Sequence, residues 1–136
     1  MPSADVVERF VATVVGGDYV GAIERFYRAD ATMAENLTPA RGGREALVRQ
    51  EQMVMGAMRS IKAQVVGAPL VQGDQVAIHW RFDFAPHAGP AWTLHEIAWQ
   101  RWEGDQIAEE TFFYDPGQMT AAPAEAADAA DAVLHD

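Results

Sequence analysis

The apolar pattern of this chain changes period part-way along. In the first half, apolar side chains recur at helical spacing. In the second they alternate, most plainly where Ile78, Trp80, Phe82 and Phe84 are separated by His79, Arg81 and Asp83. The first spacing belongs to helices buried on one side, the second to strands with one buried face. Helices followed by strands on short turns predict an α+β domain rather than alternating βαβ units.

Ser3 and Asp5 precede Val6, Val7, Phe10, Val11, Val14 and Val15, a one-sided helix that Gly16-Gly17 stops. Asp18 caps a second helix, Tyr19 to Tyr27, anchored by Ile23, Phe26 and Tyr27. Ala31 to Leu37 reads as a short strand, and Thr38-Pro39 to Gly42-Gly43 as a loop. A third helix, from about Arg44 to Ser60, carries the stripe Leu47, Glu51, Val54 and Met58, in which Glu51 stands out. Ile61 to Val71 is β-compatible, and Gln72 to Gln75 is a turn. Trp92 to Trp102 and Ile107 to Asp115 are strands about a Glu103-Gly104-Asp105 hairpin. Both are apolar on both faces, so periodicity alone leaves their inner face open. Such a meander, curved around three helices, makes a cone with an internal pocket, a natural small-ligand site.

Length and charge narrow the field. The 136 residues allow one domain. Twenty acids against ten bases give a net charge of -10, and residues 1-119 alone carry sixteen acids against ten bases. A field of that sign repels phosphate backbones and anionic membranes, so neither nucleic acid nor membrane is an expected partner. No apolar run is long enough to span a bilayer, and no basic-then-apolar leader opens the chain, so a cytoplasmic location is expected. The absence of cysteine removes disulfides and thiolate chemistry. After Met119 the composition shifts to Ala, Asp, Glu and Pro, so residues 1-119 are expected to form the domain and 120-136 a mobile or weakly helical tail.

Several short marks, in order, carry a resemblance. They are Gly17-Asp18 before the second helix, Tyr27 to Asp30-Ala31-Thr32 into the first strand, and Gly43-Arg44-Glu45 opening the third helix. Arg101 to Ile107 at the hairpin and Phe113-Tyr114-Asp115-Pro116 complete the set. Over residues 5-118 the chain resembles the SnoaL-like polyketide cyclases and ketosteroid isomerases of the nuclear-transport-factor-2-like superfamily. That superfamily hosts enzymes, binding modules and transport adaptors, so the fold alone does not fix the function.

The resemblance implies which face is inside. It places Trp92, Leu94, Glu96, Ala98 and Gln100 inward on one strand, and Ala108, Glu110, Phe112 and Tyr114 inward on the next. It also implies a general base at Glu35 and a pocket tyrosine at Tyr27 on the second helix. Glu51 stands where relatives have another tyrosine. Phe10 and Ala98 stand where ketosteroid isomerases have their two hydrogen-bond donors to the enolate oxygen. Steroid isomerisation by that machinery is therefore not expected. The Asp-Arg-Asp set of limonene-epoxide hydrolases has no counterpart either, because Leu94 and Ala98 flank Glu96 on its face.

What remains is Glu35, Glu51, Glu96 and Glu110 directed at one apolar pocket. Four buried carboxyls cannot all ionise; some must be protonated, paired with a cation or solvated. A protonated and an ionised glutamate together supply an acid and a base, which suits isomerisation, cyclisation or dehydration. The catalytic candidates are Glu35 as base, Glu96 as acid or orienter, and Tyr27 and Tyr114 as donors. Glu51, Glu110, Trp80, Phe82, Phe112 and Trp92 are the expected substrate wall. Each acid also has a plain structural reading: Glu35 at a wet mouth, Glu51 bonded to a nearby Arg or Gln, Glu96 paired to backbone or Tyr, Glu110 escaping at the sheet rim. His79 and His95 fall on the outer face, and no metal or other cofactor is expected. The rival to an enzyme is a non-catalytic ligand-binding or dimerisation module. Outward-facing Ile97, Trp99 and Phe113 predict a homodimer through the outer sheet face.

Overall fold

A computed structural model describes residues 1-120. The expected tail lies outside the described residues except for Thr120. Helix α1 (Ala4–Val15) starts where the Ser3 hydroxyl accepts from the Val6 amide at 3.1 Å, and it buries Val6, Val7, Phe10 and Val14. Gly17, at φ 89°, turns the chain in the left-handed region. Helix α2 (Tyr19–Phe26) is capped by Asp18, whose carboxylate accepts from the Gly21 amide at 2.9 Å. A side chain at Gly21 would collide with that carboxylate, since a Cβ there would lie 2.2 Å from it.

Tyr27 leaves the helix with extended backbone and opens β1 (Tyr27–Glu35). The expected strand therefore begins four residues early, and Tyr27 belongs to a strand rather than to the second helix. β2 (Arg41–Gly42) pairs antiparallel with β1. Helix α3 (Arg44–Ala57) ends before the expected Ser60. Met58 continues the helical stripe in sequence, but Met58 to Val65 form β3 along the edge of β5, and the ladder takes precedence over the stripe. The expected strand from Ile61 to Val71 is broken into β3 (Met58–Val65) and β4 (Leu70–Gln72). β5 (Gln75–Pro86), β6 (Trp92–Glu103) and β7 (Gln106–Phe113) follow, and a single turn, α4 (Gly117–Thr120), closes the described chain.

The seven strands form one open, curved sheet in the order β2-β1-β7-β6-β5-β3, with β4 beside β5. It is a meander with one exception: β1 pairs with β7 in parallel, bringing Met33 opposite Glu110 and Glu35 opposite Phe112. That pairing joins residues about eighty positions apart and closes the site across the two ends of the chain. Burial alternates along β6, where Leu94, Glu96, Ala98, Gln100 and Trp102 are buried and His95, Ile97 and Trp99 are exposed. The inner face packs on α1 and α2 through Phe10, Phe26, Tyr27 and Trp102, with Phe10 meeting the Trp102 ring edge-on at 6.0 Å.

Candidate active site

Between the helices and the inner sheet face lies a cavity of about 560 Å³, within the ordinary range for small-molecule sites. One wall is aromatic. Trp80, Phe82, Phe84 and Trp92 follow one another along β5 and β6, with neighbouring ring centroids 5.9, 5.7 and 5.3 Å apart. They share a face because β5 alternates and Phe84 stands opposite Trp92 in the ladder. Phe112, Leu47, Ile61 and Met33 supply further apolar lining.

Four glutamates reach this cavity, each from a different element: Glu35 from β1, Glu51 from α3, Glu96 from β6 and Glu110 from β7. Their surroundings differ. Glu110 is fully enclosed. It accepts from the Tyr27 hydroxyl in a short hydrogen bond and from Gln100 Nε2 at 2.7 Å, and Gln100 Oε1 in turn accepts from Trp102 Nε1 at 2.9 Å. Tyr27, Gln100 and Trp102 are all buried, so this chain is a buried polar strut beside the cavity. Glu110 does not escape at the sheet rim. Its pKa is nonetheless pushed up to about 7, because burial outweighs the hydrogen bonds that favour its charge. The same burial and the neighbouring Glu110 hold the Tyr27 phenol well above its ordinary range. The Tyr27 proton is thus committed to Glu110.

Glu96 is different. Only 9 % of it is exposed, it lines the cavity, and it has no hydrogen-bond or ion-pair partner among the described residues. The expected structural partner, a backbone or Tyr group, is not there. Desolvation, then the charges of Glu110, Glu35 and Glu51, push it up to about 8. Glu51 likewise lacks the expected Arg or Gln partner, and burial raises its pKa.

Glu35 lies where the cavity meets solvent, with 44 % of its side chain exposed. It accepts from the Tyr114 hydroxyl at 3.0 Å, and Arg41 stands 3.7 Å away. Burial first, then the bond to Glu35, lift the Tyr114 phenol to about 12, so it remains a donor. Asn36 builds this corner. It sits at φ 53°, which asparagine tolerates better than most residues, and its side chain accepts from the Tyr114 amide at 3.1 Å. The structure thus brings Tyr114 to Glu35 although the expected last strand, running to Asp115, ends at Phe113.

Sequence reasoning missed Gln100 as a network member, Arg41 as the cavity's cation, and α4. Met119 of α4 lines the cavity, and Gln118 exchanges two hydrogen bonds with the His95 backbone, at 2.9 and 3.0 Å. The Gln118 amide there acts as a strand partner for β6 beyond the end of β7. Gln100 was visible as a polar residue on the inner face; Arg41, in a loop-like stretch, gave no periodic signal. His79 and His95 meet each other on the outer face at 3.0 Å, away from the site. Phe10 and Ala98 are buried without polar side-chain atoms, so neither serves as a donor.

The SnoaL-like domain model matches residues 7–110. The chain belongs to the SnoaL-like domain family. Solved structures share its fold. A SnoaL-like polyketide cyclase candidate from Mesorhizobium loti is 26 % identical, covering 82 % of this chain and 97 % of its own, with a TM-score of 0.70. One from Jannaschia sp. is 16 % identical over 88 % and 92 % of the two chains, TM-score 0.71. An epoxide hydrolase of the limonene-epoxide-hydrolase-like type from M. tuberculosis is 10 % identical over 85 % and 84 %, TM-score 0.69. No curated protein sequence gives a significant match. This fold family includes cyclases, isomerases and epoxide hydrolases.

Proposed function

We propose that this SnoaL-like chain is an acid–base enzyme of the isomerase, cyclase or dehydratase kind, acting on a largely apolar, ring-containing small molecule. In this reading Glu35 takes a proton from a substrate carbon. Glu96 gives its proton to the electronegative atom conjugated with that carbon. The C–H electron pair becomes a carbon–carbon double bond, and the negative charge passes from Glu35 to Glu96. Atoms and charge balance in a tautomerisation, and return of the proton to another carbon completes an isomerisation. Tyr114 orients Glu35, and Tyr27 acts through Glu110 rather than on the substrate.

The observation that carries the reading is Glu96, a nine-tenths-buried carboxyl without a protein partner, in the same apolar cavity as the more exposed Glu35. A carboxyl desolvated in a cleft and crowded by like charges is a candidate for chemistry rather than scaffolding. A non-catalytic binding module would be served by hydrated acids at a wide opening, whereas Glu96 and Glu110 are buried.

Deuterium uptake from D2O tests the proposal, with β-tetralone and a cyclic imine as probes and Trp80 and Trp92 fluorescence reporting binding. The wild type is expected to accelerate exchange at the carbon beside the C=O or C=N, and Glu35→Gln to lose the acceleration while still binding. Probes that bind but exchange no faster than in buffer would overturn it.

A further inference from the structure

We infer that the polar end of the ligand is a basic nitrogen, carried in the cavity as a cation against Glu96, with its apolar body on the aromatic wall. The inference rests on the reading of Glu96 as the proton donor of an acid–base site and names the atom that takes the proton.

Charge is the first argument. The cavity lining holds four glutamates and one arginine. That arginine, Arg41, is beside Glu35 at the open end. Glu51, Glu96 and Glu110 line the same cavity, and no cation other than Arg41 is among the described residues that line it. Tyr19, Tyr27 and Tyr114 are the other titratable groups there, and all three are neutral donors already committed, to the Ile61 carbonyl, to Glu110 and to Glu35. Glu110 has its two donors; Glu96 has none. One positive charge at Glu96 would relieve the repulsion that Glu96 feels from all three neighbours, whereas a neutral acceptor would satisfy one hydrogen bond and leave the repulsion in place.

The wall is the second, independent argument. Trp80, Phe82, Phe84 and Trp92 form an uninterrupted aromatic run beside the same cavity. Aromatic faces attract cations, and more strongly where water is excluded. An aromatic wall with an unpaired buried carboxyl is the chemistry that recognises an alkylammonium or protonated imine on an apolar frame. A metal ion is a poorer match: among the described residues no three His, Asp or Glu side chains converge closely enough to hold one.

The nitrogen also fits the proposed reaction. A neutral amine or imine nitrogen takes the Glu96 proton, leaving an N–H⁺ and a carboxylate. Protonating an imine in this way acidifies the neighbouring C–H that Glu35 would remove, and the product is the enamine.

Binding of matched probes decides the question. N,N-dimethylphenethylamine carries the charge; the tertiary alcohol of the same shape does not; phenylpropanoate carries the opposite charge. Calorimetry on the full chain near neutral pH should give the amine at least about tenfold higher affinity than the alcohol, with no binding of the carboxylate. Repeating it in two buffers of different ionisation enthalpy should show protons released on amine binding. Glu96→Gln should bring amine and alcohol affinities together, with an unchanged circular-dichroism spectrum showing that it folds. Equal affinities in the wild type, or a preference for the amine that survives Glu96→Gln, would overturn the inference. Ketone exchange activity in a protein that ignores the amine charge would sink this inference and leave the acid–base proposal standing. Charge-selective amine binding through Glu96 without exchange of either probe would do the reverse.

Discussion

The Tyr114 hydroxyl donates to the Glu35 carboxylate at 3.0 Å, and the bond ties the end of β1 to the segment that follows β7. Those two segments lie side by side because β1 and β7 pair in parallel. The cavity therefore meets solvent where a carboxylate and a neutral phenol are held together. If Glu35 is the base, Tyr114→Phe should lower kcat by about tenfold or more through loss of orientation while KM changes little. An unchanged kcat would remove Tyr114 from the mechanism.

Glu35→Gln separates chemistry from stability. The side chain is nearly half exposed, so the substitution should shift stability by no more than about 0.5 kcal/mol. Loss of a general base should cost about 10²–10⁴ in kcat. Thermal unfolding and turnover on one preparation give both values, and a large fall in Tm would mean that Glu35 is structural.

Gln100→Leu should behave in the opposite way. Gln100 joins Trp102 Nε1 to Glu110, and both would lose a partner in the buried interior. Two unsatisfied groups at about 1–3 kcal/mol each predict roughly 2–6 kcal/mol of destabilisation by urea titration. A change below about 1 kcal/mol would show that water replaces the amide.

Stability should fall as pH rises. Glu96 and Glu110 have native pKa values raised to about 8 and about 7, above the ordinary carboxyl value of 4.5. Between those limits the native state holds more protons than the unfolded chain. The stabilisation is full below the ordinary carboxyl range and is lost as pH climbs through 7 and 8, by an amount on the order of a few kcal/mol. Urea midpoints across this range should decline with pH and decline less in Glu96→Gln. Midpoints that rise instead would mean that these acids are ionised in the fold.

The outer sheet face leaves Ile97, Trp99 and Phe113 exposed, and Ile97 and Phe113 are direct neighbours across the β6–β7 ladder. A two-fold pairing of this face would bury each patch against its copy. The proposal is a homodimer by light scattering that Trp99→Glu converts to monomer; a wild-type monomer would refute it.

The inner face of β6 could be read from the sequence only with the resemblance, because Ile97 and Trp99 are as apolar as Leu94 and Ala98. Alternation of burial from Leu94 to Trp102 shows that the order of residues was informative once one position was anchored. Glu96 stood out for the same reason, as a charge on an inner face. The parallel β1–β7 pair left no local signal, since it depends on residues at opposite ends of the chain. Tyr27 reads as helical in the sequence because its spacing from Ile23 is helical, although its backbone is extended. Arg41 and the Gln118 amide act through tertiary placement, which periodicity does not carry.

The ionisation of Glu96 decides whether it carries a proton to donate at neutral pH. A carbon-13 NMR titration of its side-chain carboxyl, assigned by loss of the signal in Glu96→Gln, should give a midpoint of about 8 in the ligand-free protein. A midpoint near the ordinary 4.5 would make Glu96 a hydrated carboxylate and contradict its role as the proton donor of the site.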